Sequence, residues 1–141
     1  MLRTKAFTLL ELIIVIIIVG VLASLALPRF FRMIEESRAT EAWVNIGAIR
    51  QAMERCYLMH NGTYVSCSGP LDIDDPDKAP NAHFTYQRAL GPGPGDYTIY
   101  ATRNSRDGGD GWSGIEFYVV GDSITYWGKG AFSNIKSLIY N

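Results

Sequence analysis

Three periodicities succeed one another along the chain. From Leu12 to Leu27 every position is apolar or small, apart from the hydroxyl of Ser24, and no charge interrupts the run. Between Phe7 and Leu27 the one ionised side chain is Glu11. At about 1.5 Å rise per residue, Phe7 to Leu27 spans roughly 31 Å as a helix, close to the thickness of a bilayer core. Such a run does not belong on the surface of a soluble domain.

Beyond Pro28 the pattern turns amphipathic. Ala39, Ala42, Trp43, Ile46, Ile49, Met53, Cys56 and Tyr57 recur at spacings of three and four, with Arg38, Glu41, Asn45, Arg50, Gln51, Glu54 and Arg55 on the other face. This is helical periodicity with one buried stripe. Arg38 with Glu41 and Arg50 with Glu54 are spaced to pair along the helix, each worth a few tenths of a kcal/mol. Asn61-Gly62 is a stop signal, so the helix is expected to run from Phe7 to about His60. Two residues modify it. Gly20 costs about 1 kcal/mol relative to Ala. Pro28 cannot donate to the carbonyl of Ser24 and crowds it. They mark either a kink at a membrane interface or a weak point at which the helix extends.

Period-two stretches follow. His83 to Ala89, Tyr97 to Arg103, Ile115 to Val120 and Ser123 to Trp127 are rich in aromatic and β-branched residues. Gly91-Pro92-Gly93-Pro94-Gly95 separates the first two, Asp107-Gly108-Gly109-Asp110-Gly111 the second and third, and Gly121-Asp122 makes a tight hairpin. Thr63 to Asn81, with Pro70, Pro76 and Pro80, reads as a long loop. The predicted fold is α+β. One long N-terminal helix, membrane half plus amphipathic half, packs on a small antiparallel four-stranded sheet.

Composition narrows the function. The 141 residues are 48% hydrophobic and 19% charged, with a formal net charge of −1. No Lys/Arg block of five occurs, so electrostatic binding to nucleic acid has no support. With the apolar run set aside, roughly 110 residues remain to bury a modest core. Arg3 and Lys5 in the basic stretch Met1–Ala6 favour a cytoplasmic N-terminus, and Arg29 and Arg32 beyond the run weaken that preference. Ala23-Ser24-Leu25-Ala26 offers an alternative signal-peptide cleavage site, although the residues after it continue as helix. The Glu11 carboxylate either sits at headgroup level or needs a cation to offset several kcal/mol of burial in lipid.

Other candidate chemistry is sparse. Cys56 and Cys67 form a disulfide in an oxidising compartment, worth about 2–3 kcal/mol, or remain two partly buried thiols. His60 and His83 do not fall at a zinc-ligand spacing. Asp72, Asp74, Asp75 and Asp77 suggest calcium. Yet Asp77 stands where an EF-hand has glycine and His83 where it has glutamate, so solvated loop carboxylates are the expected reading. Asp107 and Asp110 are a second, weaker calcium candidate. Gly91–Gly95 lacks the Gly-Lys-Ser/Thr of a phosphate loop, and Asn61-Gly62-Thr63 reads as a turn before it reads as a glycosylation sequon. No Ser/His/Asp or Cys/His arrangement has supporting context, so neither an enzyme nor a cofactor is expected.

Ala6-Phe7-Thr8-Leu9-Leu10-Glu11, the apolar run, Gly20 and Pro28 together resemble the class III signal of type IV pilins and type II secretion pseudopilins over residues 1–28. Ser37-Arg38-Ala39-Thr40-Glu41-Ala42, and Ile49 to Tyr64 ending in Asn61-Gly62-Thr63-Tyr64, also resemble bacterial pilins. The resemblance implies that a prepilin peptidase cuts between Ala6 and Phe7 and that Phe7 is then N-methylated. It implies that Glu11 meets the amine of Phe7 on a neighbouring subunit and sets axial register. Gly20 and Pro28 would bound the segment that loses helical order in a filament. The chain departs from the pattern at Ala6, where the family usually has glycine. Loss of the leader removes Arg3 and Lys5, leaving eleven Lys and Arg against fourteen Asp and Glu, a net charge of about −3.

The implied organisation is leader 1–6, assembly helix 7–28, amphipathic helix 29–60 and β-rich head 61–141. The implied function is a structural subunit of a type IV pilus-like filament. Its partners would be copies of itself in a helical filament, the prepilin peptidase, an inner-membrane assembly platform and, before assembly, the membrane. Its place would be the bacterial inner membrane, single-pass with a periplasmic head, and then an extracellular pilus or periplasmic pseudopilus. The alternatives are the major pseudopilin of a type II secretion system and a singly anchored periplasmic binding domain. Major pseudopilins carry a late-loop calcium site whose pattern is not matched here.

Overall fold

The computed structural model describes residues 7–134. A 51-residue helix, α1 (Leu9–Met59), is followed by four strands, β1 (Phe84–Leu90), β2 (Tyr97–Arg103), β3 (Gly114–Val120) and β4 (Ser123–Lys129). The chain divides into two compact units between Ile34 and Glu35.

From Leu9 onward, the described part of the first unit is helix. Its large apolar side chains, from Leu9 through Leu27 to Phe30, Phe31 and Met33, are all exposed. A helix satisfies its backbone polar groups internally, which is what lipid demands of a spanning segment. The helix is long and apolar enough to cross a membrane.

In the second unit, the rest of α1 lies on the antiparallel sheet, whose order is β1-β2-β3-β4. The expected stripe is the buried one. Ala39, Ala42, Ile46, Ile49, Met53 and Cys56 pack with Phe84, Tyr97, Ile99, Ala101, Ile115, Phe117 and Phe132, while Trp43 and Tyr57 pack half-buried at its margins. β2 alternates without a break, with Tyr97, Ile99, Ala101 and Arg103 inward, because its neighbours on both sides fix its register. Each fully buried large apolar side chain of this kind contributes about 1.5–3 kcal/mol.

The strand boundaries fall within two residues of those the alternation predicts. The helix begins two residues later than expected, since Thr8 caps it, and ends at Met59. Asn61 and Gly62 then take left-handed backbone, φ 56° and 76°, and the Gly62 amide donates to the Tyr57 carbonyl at 3.0 Å. The loop after it holds two short 3-10 turns, Val65–Ser68 and Pro76–Lys78. One expected ion pair is replaced. Arg38 does not pair with Glu41 but with Glu35, Nη1 to Oε1 2.5 Å, and Glu41 turns to His83 instead. The pair Arg50–Glu54 forms at 2.9 Å.

The glycine-rich turn between β1 and β2 is tied by one carboxylate. Asp96 Oδ2 accepts the Gly93 amide at 3.0 Å and Oδ1 accepts the Gly121 amide of the β3–β4 hairpin at 2.9 Å. A Cβ at Gly91 would stand 2.4 Å from that of Asp96, so the close approach excludes any side chain there.

Candidate functional site

The sequence places the functional chemistry at the N-terminus, and the geometry there is a reciprocal cap. The Thr8 amide donates to Glu11 Oε2 at 2.9 Å and the Thr8 hydroxyl donates to the same oxygen at 2.8 Å. The Glu11 amide donates back to Thr8 Oγ1 at 3.2 Å. This is the capping box Thr-x-x-Glu, and its spacing is legible as Thr8-Leu9-Leu10-Glu11. Besides its charge, Glu11 thus has a local role that the charge alone does not indicate. The carboxylate is therefore held over the first turn, against the residue next to Phe7. Phe7 is exposed. Ala6 and the rest of the leader lie outside the described residues.

Further along the same helix, Gly20 has no atom within 4 Å of the position a Cβ would take. Among the described residues, no other element packs against it. Pro28 lies inside the continuous helix and supplies no amide to the Ser24 carbonyl. Ser24 turns its hydroxyl back to the Val21 carbonyl at 2.7 Å.

The head is braced around a buried cation. Arg103 is 1% exposed, and its Nε donates to Glu35 Oε2 at 3.1 Å. Its Nη1 donates to the carbonyls of His83 at 3.0 Å and Asn104 at 3.2 Å, and to Asn104 Oδ1. Nη2 has no hydrogen-bond partner among the described residues. Arg38 joins Glu35 to the Asp107 carbonyl, donating from Nη1 at 3.0 Å. Strand alternation foretells that Arg103 points inward, but nothing in local spacing foretells the acid that meets it, 68 residues away.

Cys56 and Cys67 are joined, with an S–S distance of 2.04 Å across eleven residues. The bond fastens the turn Val65–Ser68 to the last turns of α1. His60 Nδ1 lies 2.9 Å from the Cys56 carbonyl oxygen and 3.4 Å from its sulfur. The two sulfurs and the His60 ring form a cluster of metal-ligand type, and the disulfide occupies both sulfurs. His60 stands four residues after Cys56, a helical-neighbour spacing that the sequence shows, whereas Cys67 comes to it from the loop.

The loop aspartates have separate partners. Asp72 receives Arg55 at 2.6 and 2.8 Å, and that hydrogen bonding holds its carboxyl below the usual range. Asp75 Oδ1 caps the turn at Asp77 N. Asp77 accepts the Tyr86 amide at 2.7 Å, and burial pushes its carboxyl up. Burial also raises the Tyr86 phenol to about 12, where it accepts from Asn45 Nδ2 at 2.9 Å. Burial works to raise Asp110, but hydrogen bonds from Ser113 and Trp112 outweigh it and hold that carboxyl low. A cleft of about 1060 Å³ opens between α1, β1 and this loop, lined among others by Asn45, Ile49, Leu71, Ile73, Tyr86 and Arg88. The Arg88 guanidinium is committed to the carbonyls of Cys67 and Gly69, both at 2.9 Å.

A long helix whose second half lies on a four-stranded antiparallel meander is the architecture that the resemblance to pilins implies. Comparison with known proteins agrees. Residues 1–27 match the prokaryotic N-terminal methylation motif. A probable minor fimbrial protein of Dichelobacter nodosus is 36% identical over 72 residues, 51% of this chain and 44% of that protein. The type IV major pilin protein PilE1 of Neisseria gonorrhoeae is 27% identical over 132 residues, 94% of this chain and 67% of the relative. The type II secretion system core protein G of Aeromonas hydrophila is 35% identical over 80 residues, 55% of each chain. The chain spans less than half the length of the Dichelobacter fimbrial proteins it matches. No solved structure matches it. These matches make the chain similar to type IV pilins over most of its length and to a type II secretion core protein over about half of it.

Proposed function

We propose that the protein is a structural subunit of a type IV pilus-like filament. It is made as a precursor with leader 1–6, cut between Ala6 and Phe7 by a prepilin peptidase, and N-methylated at Phe7. Residues 7–28 anchor it singly in the inner membrane, with 29–60 and the head 61–141 in the periplasm. An assembly platform in that membrane then moves it into a helical filament of its own copies, outside the cell. The observation that carries this reading is the methylation motif over residues 1–27, which spans the cut, the carboxylate and the apolar run together. The resemblance to PilE1 over 94% of the chain supports the pilus as the destination.

In the assembled state the Glu11 carboxylate neutralises the amine of Phe7 on a neighbouring copy and fixes axial register. Lipid makes an unpaired carboxylate costly, so the pairing has a physical driving force. The open space at Gly20 and the missing amide at Pro28 suit a segment that neighbours approach closely or that extends on assembly. The similarity to core protein G favours a second reading, in which the filament is the short periplasmic pseudopilus of a secretion system.

The test is to express the full chain with a prepilin peptidase and weigh the product. Loss of the six leader residues with gain of one methyl is expected. An uncut chain, or a cut after Ala26, overturns the proposal.

A further inference from the structure

Both ring nitrogens of His83 face carboxylates. Nδ1 lies 2.7 Å from Glu41 Oε2, on α1, and Nε2 lies 3.2 Å from Asp107 Oδ2, in the turn between β2 and β3. A neutral imidazole has one N–H and one lone pair, so it can donate to only one of them and turns its lone pair on the other. Only the doubly protonated ring donates to both.

The two contacts are unequal. Glu41 grips His83 twice, since its Oε1 also accepts the His83 amide at 2.9 Å. Asp107 is more than half exposed and meets the ring through one oxygen. Deprotonation therefore costs the Asp107 contact and spares the Glu41 contact. The surrounding charges come from three elements. Glu35, Arg38 and Glu41 lie on α1, Arg103 ends β2, and Arg106 and Asp107 lie in the turn. The three carboxylates favour the imidazolium and the three guanidiniums oppose it. Asp107 sits at the tip of the turn with a φ of 51°, a conformation that few non-glycine residues adopt. Besides the ring, Asp107 itself is tied by the Arg38 bond to its carbonyl, while Asn104, Arg106 and Asp110 anchor the residues on either side of it.

The geometry points to a proton-operated fastening of the head: protonated His83 ties the β2–β3 turn to α1 through Asp107, and loss of the proton releases the turn. The fastening is complete on the acid side of the midpoint of His83 and lost on the basic side. The connection it controls carries the exposed Trp112, so the surface that the head presents changes with pH.

The test uses the full-length chain, labelled with nitrogen-15, in detergent micelles. Ring nitrogens and the amides of Asp107 and Gly108 are followed by NMR across the range in which imidazoles titrate, about pH 5 to 8. The turn amides are expected to move with the same midpoint as both nitrogens of His83. Asp107→Asn keeps a residue that tolerates left-handed backbone and removes the charge. It should abolish the amide transition and weaken proton binding at His83 by about two- to fivefold, the range of an exposed ion pair. His83→Gln should leave the turn without a transition over the same range. Turn amides that ignore the titration of His83, or an unchanged His83 midpoint in Asp107→Asn, overturn the proposal, and the second result stands even if His83→Gln does not fold.

Discussion

Thr8 and Glu11 hold each other across the first turn of α1, three hydrogen bonds linking two residues three apart. The cap is local and needs no second copy. It holds the carboxylate on the amide of Thr8, one residue after the nitrogen that the proposed cut would convert to an amine. Capping and register are therefore separable uses of one side chain, the first requiring an acceptor oxygen and the second a negative charge.

Glu11→Gln separates them. The amide oxygen can still accept from Thr8, but it carries no charge. Under the register reading, Glu11→Gln and Glu11→Ala are both cut normally and both lose filaments, measured as sheared filament yield by gel and electron microscopy. Filaments from Glu11→Gln at wild-type yield would reduce Glu11 to a helix cap.

Arg103 and Glu35 set the stability of the head. Removing the acid leaves a guanidinium 1% exposed with no ionic partner among the described residues. Breaking a fully buried pair costs about 3–5 kcal/mol; Glu35 is 25% exposed, so Glu35→Gln should cost roughly 2–3 kcal/mol in denaturant unfolding. The carbonyls that also hold Arg103 remain. Arg103→Met, which removes the charge itself, should cost less than Glu35→Ala. The reverse order would show that the hydrogen bonds of Arg103 matter more than its compensation.

The Cys56–Cys67 bond closes a short loop, and chain entropy assigns such a loop about 2–3 kcal/mol. The double variant Cys56→Ser/Cys67→Ser should lose that much and fray the turn Val65–Ser68 first, read by hydrogen exchange. Loss spread evenly over the head would mean that the bond acts on the folded state as a whole.

Legibility follows from how local each signal is. The buried stripe of α1, the alternation of β2 and the Asn61-Gly62 stop are written in spacings of two to four residues, and the structure keeps them. Thr8-x-x-Glu11 is equally local, a capping-box spacing in which the charge of Glu11 is the more conspicuous feature. The charged cluster of the head was not legible. Arg103 meets Glu35 and His83 meets Glu41 only because the strands return to α1, at separations of 68 and 42 residues. Arg38 had a local acid on either side, Glu35 and Glu41, and the tertiary demand of His83 for Glu41 decided between them.

Two carboxylates of one loop should respond to pH with opposite signs. Arg55 holds Asp72 below the usual carboxylate range. Its contribution is present above the unfolded value and is lost as pH falls through the lowered one. The pair is exposed, so high salt should erase it. Burial instead pushes Asp77 up, against the Tyr86 amide that it accepts. Its charged form is disfavoured in the fold, so stability is gained as pH falls through the raised value. Asp77→Asn keeps an acceptor for Tyr86 and discards the charge. It should leave the head slightly more stable than wild type at neutral pH and equal to it in acid, where Asp77 is protonated. Asp72→Asn should be less stable at neutral pH and equal in acid. Thermal unfolding of both variants across pH 3 to 7 checks the signs, and a destabilised Asp77→Asn at neutral pH would show that the carboxylate charge strengthens the Tyr86 bond by more than its burial costs.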